Sequence, residues 1–393
     1  MNKLLREVLN TAGVDALIGA LDADWTLAVA QQIQQIAAPT FDESRRAAWV
    51  AEQFRLLGLA DVAMDALHNV YGRLAGAEST RAAMVSAHTD TVFPLETDLT
   101  LRWPEGRIYG PGIGDNSLGV AGLLALAQVL TRAAQQSEYT TAVDVWFVAN
   151  SREEGLGDLG GIRAALDWLG EQVQAAVVLE GTMFGQVCHV GIGVRRYEIK
   201  VTCEGGHSWI NYGQPSAIHE LMHIGSRLTR LRLPKSPRST LNIGVIEGGR
   251  SINSIAPEAR LQLDLRSMDA AVLDEMTQRT DQLLEEYRRE GVTVTLTEIG
   301  NRPFGYIPAD HPLVQVAIAA LTEVGVSAPQ LVSSSTDANI PLSRGVPAVC
   351  IGLTTGGNAH RTDEYIDTAA LGRGLKQILL TTLGAVHLAA VRG

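Results

Sequence analysis

Short apolar runs alternate with helical segments in the first half of the chain, and this alternation constrains the fold more than any other feature. Three apolar runs, 82–87, 143–149 and 175–179, are separated by segments of helical periodicity over 118–134 and 161–172. Alternating strands and helices are typical of a mostly parallel sheet with helices on both faces. We therefore predict an α/β fold with three layers.

Two helices are predicted before the first of these apolar runs. Apolar residues at helical spacing indicate one helix over 25–36 and another over 41–57. Thr40 and Asp42 stand at the beginning of the second helix, where a side-chain oxygen can accept a hydrogen bond from a backbone N–H. We therefore take them as its candidate capping residues.

The pattern changes near residue 190 and returns near residue 303. Between these points the predicted elements follow the order strand, helix, strand, strand, helix, strand, which is the split unit of a ferredoxin-like sandwich. We therefore predict that a smaller βαββαβ domain, residues 191–303, is inserted into a larger domain made of residues 1–190 and 304–393.

Charge and cysteine content restrict the partners and the compartment. The chain of 393 residues has 32 Lys and Arg against 43 Asp and Glu, a formal charge of −11. This excess disfavours phosphate backbones and anionic membranes, so we expect no nucleic-acid or membrane partner. Three scattered cysteines do not form the pattern of a disulfide framework or a thiolate zinc site, which favours a reducing compartment.

The sequence also lacks the usual signals for export or membrane insertion. Arg6 and Glu7 interrupt the apolar core that a signal peptide would need. The longest apolar stretch, 119–130, is well short of the roughly 20 residues that span a bilayer. We therefore predict a cytoplasmic protein without a membrane span.

The chemistry-bearing residues of the larger domain stand just past an apolar run or in a glycine-rich loop before a helix. They are His88, Asp90, Asp115, Glu153, Glu154, Glu180 and His360. In an open parallel sheet, ligands bind outside the carboxyl ends of the strands, so these side chains can meet in one crevice. Two imidazoles and several carboxylates, with no thiolate, suit Zn²⁺, with Co²⁺ or Mn²⁺ as substitutes.

Two spacings within this set have a chemical reason. In His88-x-Asp90, the carboxylate can accept the second N–H of the imidazole and fix a ring that binds metal through its other nitrogen. In the pair Glu153-Glu154, neighbouring side chains point differently, so one carboxylate can bind metal while the other acts as a general base. The residues therefore predict a metal site that activates water.

Seven segments in order resemble the dinuclear zinc metallopeptidases that include tripeptide aminopeptidase, the glutamate carboxypeptidases and the aminoacylases. They are SAHTDTVFP, GIGDNSLGV, REEGLGDLGG, VVLEG, GGHSW, STDANI and NAHRTDE. The set spans nearly the whole chain, and its order is more specific than any one segment. The resemblance implies a zinc-binding exopeptidase-like α/β domain interrupted by a ferredoxin-like lid, and a homodimer formed through that lid.

The resemblance further implies two zinc ions in each subunit and a role for each ligand. His88 and Glu180 would bind one ion, and Glu154 and His360 would bind the other. Asp115 would bridge the two ions.

The same resemblance implies catalytic and substrate-binding residues. Glu153 would act as the general base, and Asp90 would orient the first histidine ligand. In the inserted domain, His207 would polarise the scissile carbonyl. Asn253 and Arg266 resemble positions that anchor the substrate.

Several of these residues have a plain structural alternative. The pair Glu153-Glu154 can be the solvated start of a helix, where acidic residues are favoured. Asp115 can simply cap the helix that follows it. Arg266 can belong to an ion pair at a strand end, and Asn253 can be a turn residue.

The chain departs from many relatives beside the bridging position. Those relatives have Asp-Met-Lys or Asp-Asp-Lys, whereas this chain has Asp115-Asn116-Ser117. A second carboxylate or a lysine is therefore missing next to the bridge, although the bridging aspartate is retained.

A second segment matches the letters of a zinc-binding motif, but it lacks the last histidine of the extended form of that motif. Residues 219–223 read H-E-x-x-H, which on a helix would place two histidines on one face with a glutamate between them. Thr229 stands where the extended motif would need its last histidine. We therefore expect an ordinary helix of the inserted domain.

Three functions remain open from the sequence. The first is hydrolysis of short peptides, favoured because EEGLGDLGG and STDANIPLSRGVP resemble the peptidase T side of the family. The second uses the same site on N-acyl amino acids or as a glutamate carboxypeptidase. The third is a metal-stabilised binding protein without turnover.

Overall fold

The computed structural model describes residues 2–104 and 106–391. The chain forms two compact units, of which the first contains the residues up to Gly191 and those from Gly305 onward. The second unit is Ile192–Phe304. Each unit has its own buried apolar core.

The first unit begins with α1 (Lys3–Leu9), α2 (Val14–Gly19), α3 (Ala23–Gln34), α4 (Ser44–Leu56), β1 (Ala60–Met64), β2 (Val70–Leu74), β3 (Glu78–His88), β4 (Arg107–Tyr109), α5 (Leu118–Gln135), β5 (Val143–Asn150), α6 (Gly160–Leu169), β6 (Val173–Glu180) and β7 (Gln186–Gly191). The second unit contains β8 (Gly193–Thr202), β9 (Gly206–His207), α7 (Ala217–Leu228), β10 (Ser239–Gly248), β11 (Ser254–Ile255), β12 (Glu258–Ser267), α8 (Ala270–Glu285) and β13 (Thr293–Arg302). The first unit then continues with β14 (Gly305–Tyr306), α9 (Pro312–Glu323), β15 (Gln330–Ser334), α10 (Asn339–Ser343), β16 (Ala348–Gly352), β17 (Gly356–Gly357), β18 (Tyr365–Asp367) and α11 (Leu371–Val391).

A mixed sheet forms the centre of the first unit. Its strand order is β1-β2-β5-β3-β6-β16-β7-β14, and β15 also pairs with β7. The four central strands β5, β3, β6 and β16 are parallel, whereas β1 and β2 on one side are antiparallel to their neighbours. The predicted α/β fold with a mostly parallel central sheet is confirmed. Because the central strands run in one direction, their carboxyl ends share one edge.

Two long apolar helices pack against the central strands. Helix α5 is buried along most of its length, and both α5 and α11 contact β3 and β6. A helix that is apolar nearly all round belongs in a core or a membrane. By length and composition alone, Ile113–Gln135 and Leu371–Val391 could cross a membrane, but 83% and 72% of their apolar windows are buried inside the protein.

The second unit contains a four-stranded antiparallel sheet with the order β10-β12-β8-β13. Leu261, Leu263 and Leu265 alternate along β12 and are buried, as the period of two in a strand requires when one face is covered. Helices α7 and α8 contact β12 and supply buried apolar residues to the same core.

Candidate metal centre

His88 ends the central strand β3 and is only 2% exposed. Its Nε2 atom lies 3.1 Å from Oδ1 of Asp115 and 3.6 Å from Oε2 of Glu180. Its Nδ1 atom lies 3.1 Å from the carbonyl oxygen of Asp90 and 3.6 Å from Oδ1 of the same residue. One ring nitrogen therefore faces two carboxylates, while Asp90 holds the other.

His360 approaches the same aspartate from a loop after β17. Its Nε2 atom lies 3.2 Å from Oδ2 of Asp115 and 3.2 Å from Oε1 of Glu154. Asp115 thus presents one carboxylate oxygen to each histidine. The ligand atoms of His88, Asp115 and Glu154 all lie within 4.8 Å of one another. The five sequence-predicted ligands, which include Glu180, are therefore brought into one cluster.

The cluster strongly perturbs the proton affinities of its members. Burial lowers the pKa of His88, but the carboxylates of Asp115, Asp90 and Glu180 outweigh burial and raise it well above its ordinary value. Asp115 and then Glu154 raise the pKa of His360 to about 10. Burial raises the pKa of Glu180, and the negative charge of Asp115 adds to that shift. These nitrogen and oxygen donors thus attract positive charge strongly.

The donor set matches the chemistry of a divalent metal. Two imidazoles and three carboxylates without a thiolate are ligands that Zn²⁺ accepts in proteins. Metal binding requires neutral histidines and ionised carboxylates, so a cation would replace the protons that the cluster otherwise attracts. The residues present therefore fit a metal site.

Asp90 is fully buried and fixes the backbone of both predicted glutamates. Its Oδ1 accepts a hydrogen bond from the Glu153 N–H at 2.9 Å, and its Oδ2 accepts one from the Glu154 N–H at 3.0 Å. The Thr40 hydroxyl also donates to Oδ2, at 2.9 Å. Thr40 does not act as the predicted helix cap, because α4 begins later, after Glu43. One carboxylate thus connects the end of β3 to the segment after β5.

Glu364 is a site residue that the sequence analysis missed. Its buried carboxylate accepts hydrogen bonds from the N–H groups of Gly112, Gly114 and Asp115, at 3.0, 2.7 and 2.7 Å. Burial raises the pKa of Glu364 to about 8, and the charge of Asp115 contributes to the shift. The residue lies within the segment NAHRTDE, so the motif contained the signal, but only its histidine was assigned.

Asn116 stands beside Asp115, where this chain departs from the sequence of many relatives, and its side chain has a structural role there. Its side-chain amide donates to the carbonyl oxygen of Leu179 at 2.8 Å and accepts from the N–H of Gly181 at 2.8 Å. It therefore holds the backbone on both sides of Glu180. A Cβ atom on Gly119 would lie 1.9 Å from Oδ1 of Asn116, so the glycine leaves room for this side chain.

The second unit holds the other predicted site residues. His207 is exposed on β9, which pairs with β11 so that His207 lies opposite Ser254. The carbonyl oxygen of Asn253 accepts a hydrogen bond from the Ser208 N–H at 3.0 Å. Arg266 instead forms an ion pair with Asp264 at 2.7 Å. An ion pair at a strand end is the alternative to substrate binding that the sequence analysis left open for this residue.

The H-E-x-x-H segment is a solvent-facing part of α7. His219 and His223 are exposed, while Leu221 between them is buried in the core of the second unit. The carboxylate of Glu220 accepts two hydrogen bonds from Arg289, at 3.0 and 2.7 Å. This glutamate is thus engaged by an arginine rather than placed between two histidines.

Comparison with known protein families identifies the family of the chain that carries these residues. The model of peptidase family M20/M25/M40 matches residues 84–383, which is most of the chain. The chain belongs to this family. The family consists of hydrolases, so this M20 protein is an enzyme, and the predicted relationship is confirmed.

Individual relatives of this M20 enzyme differ in their activities. Acetylornithine deacetylase of Myxococcus xanthus is 29% identical over 352 residues, which cover 83% of this chain and 86% of the relative. Aminopeptidase PepT of Bacillus cereus ATCC 10987 has a similar structure, with a TM-score of 0.75, 19% identity and coverage of 93% of this chain and 99% of that one. A dinuclear metal binding peptidase of Bacillus subtilis has a TM-score of 0.67 and 16% identity, covering 94% and 99%.

Proposed function

We propose that this M20 enzyme hydrolyses an amide bond of short peptides at a centre of two divalent metal ions. The observation that carries the proposal is the placement of Asp115, whose two carboxylate oxygens each face a different histidine. A carboxylate shared in this way is the arrangement that a bridging ligand needs. The dinuclear metal binding peptidase of Bacillus subtilis supports the same count of ions.

The proposed ligand sets follow the two halves of the cluster. His88 and Glu180 would hold one ion, and His360 and Glu154 the other, with Asp115 between them. Zn²⁺ is the proposed metal, because it suits these donors, with Co²⁺ or Mn²⁺ as substitutes. When bound, the two ions would lower the pKa of a water molecule and polarise the carbonyl of the substrate.

Glu153 is the proposed general base. It lies beside the ligand Glu154, and its backbone N–H is fixed by Asp90. In our proposal its carboxylate takes a proton from the attacking water and returns that proton to the departing amine. The amide carbonyl carbon gains the water oxygen, and the C–N bond breaks when the amine is protonated.

His207 is the proposed donor to the carbonyl oxygen, on which negative charge develops during the attack. It belongs to the second unit, so that unit, in the same subunit or in the partner of a homodimer, would have to act as a lid over the substrate. Asn253, whose backbone contacts the segment after His207, is the proposed substrate anchor nearest to it. Arg266 could anchor the substrate only by sharing or leaving its contact with Asp264. The homodimer through this unit and the cytoplasmic location stay predictions.

A second candidate function is hydrolysis of N-acyl amino acids at the same centre. It is favoured by the acetylornithine deacetylase of Myxococcus xanthus, whose 29% identity exceeds the 19% of aminopeptidase PepT. Both reactions break an amide bond, so the metal ligands and Glu153 would keep the same roles. The two functions differ only in the groups that flank the amide.

A panel of substrates separates these functions. The zinc-loaded enzyme is assayed on tripeptides, dipeptides, N-acetyl amino acids including N-acetylornithine, and N-carbamoyl amino acids. We expect the highest kcat/KM for a tripeptide, with Glu153→Gln as the control for contaminating activity. A preference for an N-acyl amino acid would replace the first function by the second. Hydrolysis of none of them by the two-zinc protein would favour the binding protein instead.

A further inference from the structure

Glu43 is a buried carboxylate to which the proposed mechanism gives no role. It precedes α4, and its Oε1 accepts hydrogen bonds from the Phe41 N–H at 2.9 Å and the Arg152 N–H at 3.2 Å. The next two N–H groups, those of Glu153 and Glu154, end on Asp90. Three consecutive N–H groups of the segment 152–154 are therefore held by two buried carboxylates.

Arg46 lies one turn further along α4 and is also buried. Its guanidinium donates to the carbonyl oxygen of Ile36 through Nε at 2.9 Å and Nη2 at 2.6 Å. Its Nη1 donates to the carbonyl oxygen of Thr89 at 2.7 Å, directly after the ligand His88. Burial lowers the pKa of Arg46 to about 10, and the charge of Asp90 opposes this shift. Attraction between Arg46 and Asp90 thus offsets part of the cost of burying charge.

Through these contacts the beginning of α4 is hydrogen-bonded to the backbone just past two central strands. Arg46 binds the residue after His88, at the end of β3, while Glu43 binds the residue before Glu153, after the end of β5. A buried charge is costly unless its hydrogen bonds compensate for lost water. Each residue thus makes one of its hydrogen bonds to a backbone atom next to a predicted site residue.

We infer that Glu43 and Arg46 are positioning residues that set Glu153 and Glu154 relative to His88. We call the two residues the α4 brace. The inference rests on the proposed function for the roles of the two glutamates. Groups that orient metal ligands typically change metal affinity or activity by about 10- to 100-fold when removed. The brace acts through backbone segments, so it should affect metal binding and turnover more than substrate binding.

The test compares Glu43→Ala with Glu43→Gln and with Val50→Ala. Val50 is a fully buried apolar residue of the same helix, so its truncation destabilises α4 without removing a hydrogen bond to the segment 152–154. Thermal unfolding, zinc affinity by competition with a chelator, and kcat and KM are measured for each. Both alanine variants should lower Tm.

Only Glu43→Ala should lower zinc affinity and kcat, each by about 10- to 100-fold, with KM within about threefold of wild type. Glu43→Gln keeps an oxygen acceptor and should restore both quantities to within about threefold. If Glu43→Ala does not fold, Glu43→Asp replaces it. Its shorter side chain should reduce zinc affinity by about tenfold.

Equal zinc affinity and kcat in the Glu43 and Val50 variants would overturn the inference, as would a failure of Glu43→Gln to restore them. Failure of the proposed function looks different, because wild type would then hydrolyse no substrate of the panel. The zinc competition still tests the brace in that case.

Discussion

His88 and His207, one in each unit, are held in opposite ways. The ring of His88 is buried against the carboxylates of Asp115 and Glu180, which come from two other parts of the chain. His207 is exposed, and its bonds are to neighbours in sequence: its N–H donates to Asn211 Oδ1, and its Nδ1 accepts from the Trp209 N–H. The fold of the first unit fixes the candidate metal centre, whereas the proposed contact of His207 needs the substrate.

The largest expected effect comes from the proposed general base. Glu153→Gln should lower kcat by about 10²- to 10⁴-fold, because an amide cannot take the proton from water. The backbone N–H of residue 153 still binds Asp90, so both zinc ions should remain bound. Steady-state kinetics with elemental analysis checks this. Turnover near that of wild type would remove Glu153 from the mechanism.

The next prediction concerns His207, the exposed histidine of the second unit. His207→Ala should lower kcat by about 10²- to 10³-fold through loss of the donor to the carbonyl oxygen. Zinc content and Tm should not change, because the ring is exposed. The matched control is His219→Ala, an exposed histidine of the same unit, which should leave kcat unchanged. Loss of zinc from the His207 variant would contradict the distinction between the two units.

Glu364 tests whether the first unit fixes its cluster through the backbone. Glu364→Gln places an N–H₂ group where a carboxylate oxygen accepts backbone N–H groups, which should weaken zinc binding by about 10- to 100-fold. Asp363→Asn is the control, because Asp363 pairs with Arg361 at the surface. Chelator competition measures both variants. Equal affinities would mean that the loop around Asp115 does not need this carboxylate.

The smallest expected effect is the pH dependence caused by a buried carboxyl group. Burial raises the pKa of Asp337 to about 7 in the folded chain, and the Asn150 amide donates to its Oδ2 at 2.7 Å. The unfolded chain releases this proton near pH 4, so the metal-free protein should lose stability as pH rises from about 4 to about 7.

Asp337→Asn should remove the part of this decrease in stability with pH that the buried carboxyl group causes. Thermal unfolding of chelator-treated protein across this pH range measures it, with the exposed Asp310→Asn as the control. An unchanged slope in Asp337→Asn would show that other groups cause the pH dependence.

The sequence predicted the fold class and the family because both depend on local signals. Apolar runs marked the central strands, and His88 and Glu180 could be placed because each ends a strand. Parallel strands with a common edge then suggested one crevice. Spacing along the chain was enough for the fold class and for these placements, whereas the family was predicted from the resemblance of the seven ordered segments.

The supporting residues could not be predicted in this way. Glu364 accepts backbone N–H groups about 250 positions earlier, and Glu43 binds the N–H of Arg152, 109 positions later. A carboxylate that accepts hydrogen bonds from the backbone of a distant segment has no local pattern. Thr40 was wrongly expected to cap a helix because capping is the usual local role of threonine, whereas its hydroxyl donates to Asp90.

Zinc titration of the metal-depleted enzyme tests the central claim most directly. Hydrolysis and bound zinc are measured together while the metal is added. The account predicts that activity reaches its maximum when two ions are bound to each chain, and that Asp115→Ala does not hold both. Full activity with no ion or one ion bound, or an unchanged zinc content in Asp115→Ala, would contradict a dinuclear centre bridged by this aspartate.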